Sequence, residues 1–117
     1  MNIKENINFI NGRNLIQIRI NQYSIDLIFE DKIIITIANK VIYIEREANK
    51  EQQWDSIKNQ KFSINTLLGV SVAKAKVDVN NNLILELENK ELLIIESAKD
   101  ENESYIIHNG DDFQVVY

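Results

Sequence analysis

The sequence predicts a mainly-β (α+β) fold: two similar antiparallel β-meanders packed as a sandwich or half-barrel, with one or two short helices between them. Three observations carry this expectation. Apolar and polar residues alternate over most of the chain, the period of strands with one buried face. The alternating runs are short, rich in Ile, Leu and Val, and separated by turns containing Asn, Gly or Lys. Residues 12–37 also resemble residues 69–95. At 117 residues the chain is expected to form a single domain, 1–117.

The elements follow in order. Within residues 15–20, Ile16, Ile18 and Ile20 share a face, with Gln17 and Arg19 opposite. Within residues 24–30, Ile25, Leu27 and Phe29 share a face. Residues 32–38 and 41–45 are apolar on both faces and β-branched, as in strands at least partly covered on both sides. Asn39-Lys40 between them reads as a two-residue turn. From residue 45 to 60 the period changes: Trp54 and Ile57 sit three apart, and Glu47, Glu51 and Asp55 sit four apart. That spacing predicts a short, mostly exposed helix. Residues 63–68 read as a second short helix, with Ser63 as its N-cap and Leu67 and Leu68 pointing inward. Gly69 would end it in the left-handed conformation.

Alternation then returns. Ala73, Ala75, Val77 and Val79 face one way, and Lys74, Lys76 and Asp78 the other. Asn80-Asn81-Asn82 reads as a turn, because Asn tolerates positive φ. Leu83, Leu85 and Leu87 alternate with Ile84, Glu86 and Glu88, and Asn89-Lys90 turns again before a strand over 91–96. Residues 97–104 form a charged loop. Strands over 105–108 and 113–117 flank Asn109-Gly110, a dipeptide that favours a type I′ hairpin turn. The expected total is about nine strands.

The internal repeat organises these elements. With one gap, Gly12 meets Gly69, Leu15 meets Val72, Ile18 meets Ala75 and Ile20 meets Val77. Farther on, Leu27 meets Leu85, Phe29 meets Leu87 and Lys32 meets Lys90. A single meander cannot bury both faces, so two are expected to pack together. Ile18, Ile20, Leu27, Phe29, Ala75, Val77, Leu85 and Leu87 should then face the core. Arg19, Lys74, Lys76, Glu86 and Glu88 should not.

Composition limits the function. Hydrophobic residues make up 44% of the chain, enough for a core without cross-links. There is no Cys, so disulfides, thiol catalysis and cysteine metal sites are excluded. Residues 1–13 lack the apolar stretch of a signal peptide, and no apolar run approaches the ~20 residues of a membrane helix, so a cytoplasmic location is expected. The net charge is −5, and it is uneven. Residues 1–77 carry a net +3, whereas residues 78–117 carry ten Asp/Glu against Lys90 and Lys99, a net −8. The acidic third argues against binding nucleic-acid phosphates and suits a basic partner. Solubility alone also explains such acidity.

Candidate site residues are few. His108 is the only histidine, lying beside a turn with Asp111 and Asp112 nearby. No nucleophile motif accompanies it, so no catalytic residue is assigned. Asp100, Glu101 and Glu103 form one acidic cluster, and Asp111 and Asp112 another. Neither follows a calcium-loop spacing, so no metal and no cofactor is expected. The carboxylates instead form a candidate partner-binding set with Glu47, Glu51 and Trp54. Trp54 is either a partner anchor or a cap on the core.

Leu67-Leu68-Gly69, the alternation over 72–79, Leu83-x-Leu85-x-Leu87, Glu103-Ser104-Tyr105 and the ending Gly110-Asp111-Asp112-Phe113-Gln114-Val115-Val116-Tyr117 together have a familiar pattern. They resemble a family of small bacterial mainly-β domains of unknown function. The first half is similar more loosely, through Gly12 and residues 16–20. Asp111 stands where such families carry a second glycine. The resemblance implies a compact β-domain and supplies no catalytic residues. In size, acidity and lack of motifs the chain is also similar to immunity proteins of contact-dependent or polymorphic toxin systems. That likeness implies a non-enzymatic inhibitor of a cognate toxin that is basic and in some systems a nuclease. No nucleic-acid or membrane partner is expected. The alternative is a structural or regulatory β-module acting through protein contacts or as a homodimer.

Overall fold

Gly12 and Gly69 hold φ angles of +81° and +85°, a region that side chains with a Cβ disfavour. Each turns the chain from a short 3-10 segment into a meander. The computed structural model describes residues 7–44, 51–55, 64–98 and 104–116. These two 3-10 segments span Asn8–Ile10 and Ile64–Leu67, and a further 3-10 turn, Glu30–Lys32, joins the second and third strands. The first leads into β1 (Leu15–Ile20), β2 (Ile25–Phe29) and β3 (Ile33–Ile37), followed by β4 (Lys40–Ile44) and β5 (Glu51–Asp55). The second leads into β6 (Val72–Val77), β7 (Leu83–Leu87) and β8 (Leu92–Glu96), followed by β9 (Tyr105–Asn109) and β10 (Asp112–Val116).

These strands form two five-stranded antiparallel sheets, in the orders β1-β2-β3-β9-β10 and β5-β4-β8-β7-β6. The hairpins are exchanged. β4–β5 follows the first meander in sequence but pairs with β8 of the second, and β9–β10 follows the second but pairs with β3 of the first. One apolar core joins the sheets, with Ile25, Leu27, Ile35 and Ile37 from one and Val41, Leu83, Leu85 and Ile95 from the other. The fold is therefore the expected sandwich of two similar meanders.

The likeness of the meanders extends to single hydrogen bonds. Gly12 N–H donates to Val72 O at 2.7 Å, and Gly69 N–H donates to Leu15 O at 2.7 Å. Leu15 N–H donates to Val70 O and Val72 N–H to Arg13 O, both at 3.0 Å. Each bond becomes the other when residue n is exchanged with residue n+57. Asn14 and Ser71, which exchange with one another, form a β-bridge, and the Ser71 hydroxyl donates to the Asn14 side-chain oxygen. This corner, where β1 meets β6, thus has local two-fold pseudo-symmetry.

Both first strands also bulge at the same place, between Leu15 and Gln17 and between Val72 and Lys74. A bulge puts two residues opposite one and shifts the alternation by a position. Ile16 therefore points outward, 58% exposed, rather than sharing a face with Ile18. Ala73 is exposed for the same reason. Ile20 departs from expectation differently. It is the last residue of edge strand β1 and is 62% exposed. Leu27, Phe29, Ala75, Leu85 and Leu87 are buried, and half-buried Ile18 and Val77 pack against the core. Arg19, Lys74, Lys76, Glu86 and Glu88 are exposed.

Three other expectations change. The helix expected over 45–60 is not formed where the structure describes it, because 51–55 is β5. Its register with β4 runs from Lys40↔Asp55 to Ile44↔Glu51. Backbone pairing along the open edge of β4 outweighs a helical spacing of charged side chains. The rest of that stretch lies outside the described residues. Asn39-Lys40 is not a hairpin turn, because β3 and β4 belong to different sheets. β9 occupies the edge of β3, so the chain crosses over at Ala38, whose N–H donates to Ser104 O at 2.9 Å. In the second 3-10 segment Leu67 is buried as expected, but Leu68 is exposed. The segment ends at Leu67, and Leu68 lies beyond it in the turn that leads to Gly69. Ser63 lies outside the described residues.

The sheets are tied at the far end by Tyr105, which is fully buried and donates its hydroxyl to Asn81 O at 2.7 Å. Burial, reinforced by the Asp78 carboxylate, pushes this phenol well above its ordinary range. Asn81 itself holds a φ of +64° in the β6–β7 turn.

Two measurements test this architecture. Phe29 is 2% exposed, and Phe29→Ala is expected to destabilise the fold by about 3–5 kcal/mol, read by chemical or thermal unfolding. If the two-fold relation holds throughout, the end of β10 lies from the first 3-10 segment as the end of β5 lies from the second. A circular permutant that joins residues 117 and 1 by a short Gly-rich linker, and opens between Asp55 and Ile64, should therefore fold. Its circular dichroism spectrum is expected to match that of the parent, and a coil spectrum would refute the relation.

Candidate protein-interaction face

Directly paired residues in an antiparallel sheet project to the same side. The register therefore draws two rows across the outer face of the first sheet. One runs Gln17, Ile28, Ile34, His108, Phe113. The other runs Arg19, Asp26, Thr36, Ile106, Val115. Each begins polar at β1 and ends apolar at β10.

The polar end is closed on itself. Asp26 is a buried carboxylate, 6% exposed, held by three side chains. Thr36 donates to it at 2.7 Å, Arg19 at 2.8 Å and Asn21 at 3.3 Å. Burial alone would raise its pKa. The hydrogen bonds from Thr36, Arg19 and Asn21, with the Arg19 charge, outweigh burial and hold it below the ordinary carboxylate value. Its lone pairs and charge are satisfied within the sheet, so this cluster ties β1, β2 and β3 together and offers little to a ligand.

The other end is open. Ile28, Ile34, Ile106, His108 and Val115 are half-buried, and Phe113 is 62% exposed. The His108 and Phe113 rings lie with centroids 6.1 Å apart at an interplanar angle of 36°. This contact follows from the turn. The loop is Gly110-Asp111, one residue later than expected, with Gly110 at φ +67° and Asp111 outside the positive-φ region. Positive φ at the first loop residue alone is the type II′ pattern rather than type I′. A turn centred on Asn109-Gly110 would set His108 opposite Asp111, whereas the observed turn sets it opposite Phe113.

The expected site residues are distributed as follows. Asp111 is exposed in the β9–β10 loop and Asp112 at the start of β10, just before Phe113. Glu51 and Trp54 lie on β5, an edge strand of the other sheet, at register positions opposite Ile44 and Val41. Glu47, Asp100, Glu101 and Glu103 lie outside the described residues. The described site residues thus fall into two separate places: Glu51 and Trp54 on β5 of one sheet, and Asp111 and Asp112 at the β9–β10 turn of the other. His108, read from the sequence as a turn histidine beside these carboxylates, instead faces Phe113 across the hairpin. Phe113 was not chosen from the sequence, and the signal that would have found it was the placement of the turn.

No known protein family, curated protein or solved structure matches this chain. The geometry must carry the functional argument by itself. Among the described residues, no group of three or more His, Cys, Asp or Glu could hold a metal ion. Among them also, no helix is long and apolar enough to cross a membrane. One internal pocket, lined by Leu15, Phe29, Leu67, Val70, Leu87 and Leu93, is a gap between apolar side chains near the β1–β6 corner. The outer face ending at Phe113 combines a half-buried apolar floor with an exposed aromatic ring, and two exposed carboxylates precede that ring at the hairpin tip, Asp111 in the loop and Asp112 on the opposite side of the strand.

The lowered pKa of Asp26 has a defined consequence. A carboxyl titrating lower in the folded than in the unfolded chain stabilises the fold above its unfolded value, about pH 3.9, and that contribution is lost as pH falls further. Asp26→Asn should cost about 1.5–3 kcal/mol at neutral pH, typical of lost charge-assisted hydrogen bonds. Unfolding curves between neutral pH and pH 2 should also show a shallower acid loss in the variant. Parallel curves for the two proteins would show that Asp26 does not carry this dependence.

Proposed function

We propose that this protein is an immunity protein, which binds a cognate bacterial toxin and neutralises it by occluding its active site. The observation that carries the reading is the exposed ring of Phe113, braced by His108 and flanked by Asp111 and Asp112 at the tip of the β9–β10 hairpin. An aromatic anchor beside carboxylates suits a basic cleft, such as that of a nuclease. The ring buries apolar area while the carboxylates pair with Lys or Arg around it. The net −8 of residues 78–117 would steer the approach. In this reading inhibition is stoichiometric, no cofactor takes part, and the protein acts in the cytoplasm of the toxin-producing cell. We take the chain as one domain of duplicated origin, which the reciprocal bonds at the β1–β6 corner support.

A second reading, a β-module that homo-oligomerises through a sheet edge, is favoured by one observation: among the described residues, no strand pairs with the outer edge of β10.

The test is titration of the toxin domain encoded beside this protein. Toxin activity should fall to background at a 1:1 ratio. Phe113→Ala should weaken binding by about 2 kcal/mol or more, as for an interface anchor. Asp111→Asn with Asp112→Asn should mainly slow association, and more so at low salt. Undiminished toxin activity with excess protein would refute the proposal, and a stable homodimer by light scattering would favour the second reading.

A further inference from the structure

We infer that the partner is held by strand addition: an extended segment bearing Lys or Arg pairs with the outer edge of β10, along which no described strand lies, as a sixth strand of the first sheet. The inference rests on the binding role proposed above and specifies how the partner is recognised.

Backbone alternation sets out the edge. In a hairpin with a two-residue loop, the residues flanking the loop form a hydrogen-bonded pair, and such pairs then alternate with non-hydrogen-bonded ones. Asn109 pairs with Asp112, so the His108–Phe113 and Ile106–Val115 pairs are of the second kind. The N–H and C=O groups of Phe113 and Val115 therefore point away from β9, toward the open side. The close side-chain approach of a non-hydrogen-bonded pair also agrees with the contact of His108 and Phe113.

The fold supplies its own comparison. In the other sheet the corresponding rows run Lys74, Glu86, Leu92, Ile44, Glu51 and Lys76, Ile84, Ile94, Ile42, Gln53. Glu51 and Gln53 on edge strand β5 thus correspond to Phe113 and Val115 on edge strand β10. Charged and polar residues are the usual means of blunting a sheet edge. β5 carries them at these positions, and β10 carries Phe and Val.

Charge selects the occupant. Asp111 and Asp112 are exposed, and among the described residues neither forms an ion pair. A basic segment would meet them at one end of the edge. A second copy would instead bring together two C-terminal regions of net charge −8. Main-chain pairing would supply affinity, and alternate side chains against Phe113 and Val115 would supply specificity.

The experiment measures fluorescence anisotropy of a labelled peptide of alternating Lys and Val at low salt. Three comparison peptides carry Glu in place of Lys, or N-methyl groups on one or the other set of alternate residues. The unmodified peptide should bind, and the Glu peptide and one of the two N-methylated peptides should not. Val115→Pro removes the outward N–H and spares the ladder to β9, and Val115→Ala removes the side chain alone; the proline variant should weaken binding by about tenfold or more, and more than the alanine variant, while its thermal melt stays within about 5 °C of the parent. If the proline variant melts lower, the N-methylated pair carries the test with the unaltered protein. Equal binding of both N-methylated peptides, or of the Glu peptide, would overturn the inference. So would a homodimer, formed without peptide, that Val115→Pro dissociates. The two proposals fail separately. Toxin inhibition left intact in Val115→Pro would sink strand addition and spare the immunity role. Edge-dependent peptide binding without toxin inhibition would do the reverse.

Discussion

The corner where β1 meets β6 is the constraint on which the rest of this structure depends. Four backbone hydrogen bonds there join Gly12 to Val72, Gly69 to Leu15, Leu15 to Val70 and Val72 to Arg13. They bring the starts of both meanders together, so the two sheets diverge from a shared line and enclose one core. Positive φ at Gly12 and Gly69 lets the chain enter the corner from each 3-10 segment without the steric penalty a Cβ would bring. The matched bulges just beyond it then set the phase of β1 and β6. Leu15 and Val72 point inward before the bulge, and Ile18 and Ala75 after it.

From that corner the exchange of hairpins follows as a packing solution. Each meander leaves the far edge of its third strand with unpaired backbone groups, and the hairpin from the other half of the chain satisfies them. The exchange interlocks the two halves. Neither can leave without breaking strand pairing in both sheets as well as exposing the core. Tyr105 adds a bond across the sheets at the opposite end, from β9 to the β6–β7 turn.

The two sheets are alike in path and unlike in outer surface. Where the first places Asp26 and Thr36, locked to Arg19, the second places Ile84 and Ile94. At the far edges, Phe113 and Val115 stand against Glu51 and Gln53. Backbone pairing tolerates such differences, because outward side chains contribute little to the shared core. One scaffold can therefore hold a closed polar cluster at one end of a sheet face and an open apolar end at the other.

Period-two alternation and turn residues were enough to place most strands, the two meanders and much of the core, because burial on one face repeats every second residue. Leu27, Phe29, Leu85 and Leu87 were legible in this way, as was the end of the second 3-10 segment at Gly69. β5 was not, because its pattern is polar and only the open edge of β4 makes it a strand. The bulges were not, because one extra residue shifts the face of Ile16 without changing local composition. The sheet switch at Ala38–Asn39 was not, because it depends on β9 having taken the edge of β3. The sequence by itself determined that Asp111, Asp112 and Phe113 adjoin. Only the tertiary structure decided that Phe113 lies against His108 and continues a row from Ile28 and Ile34. Strand register is a property of paired backbones, set here by a turn centred on Gly110-Asp111, and one residue of shift there changes every partner along the hairpin.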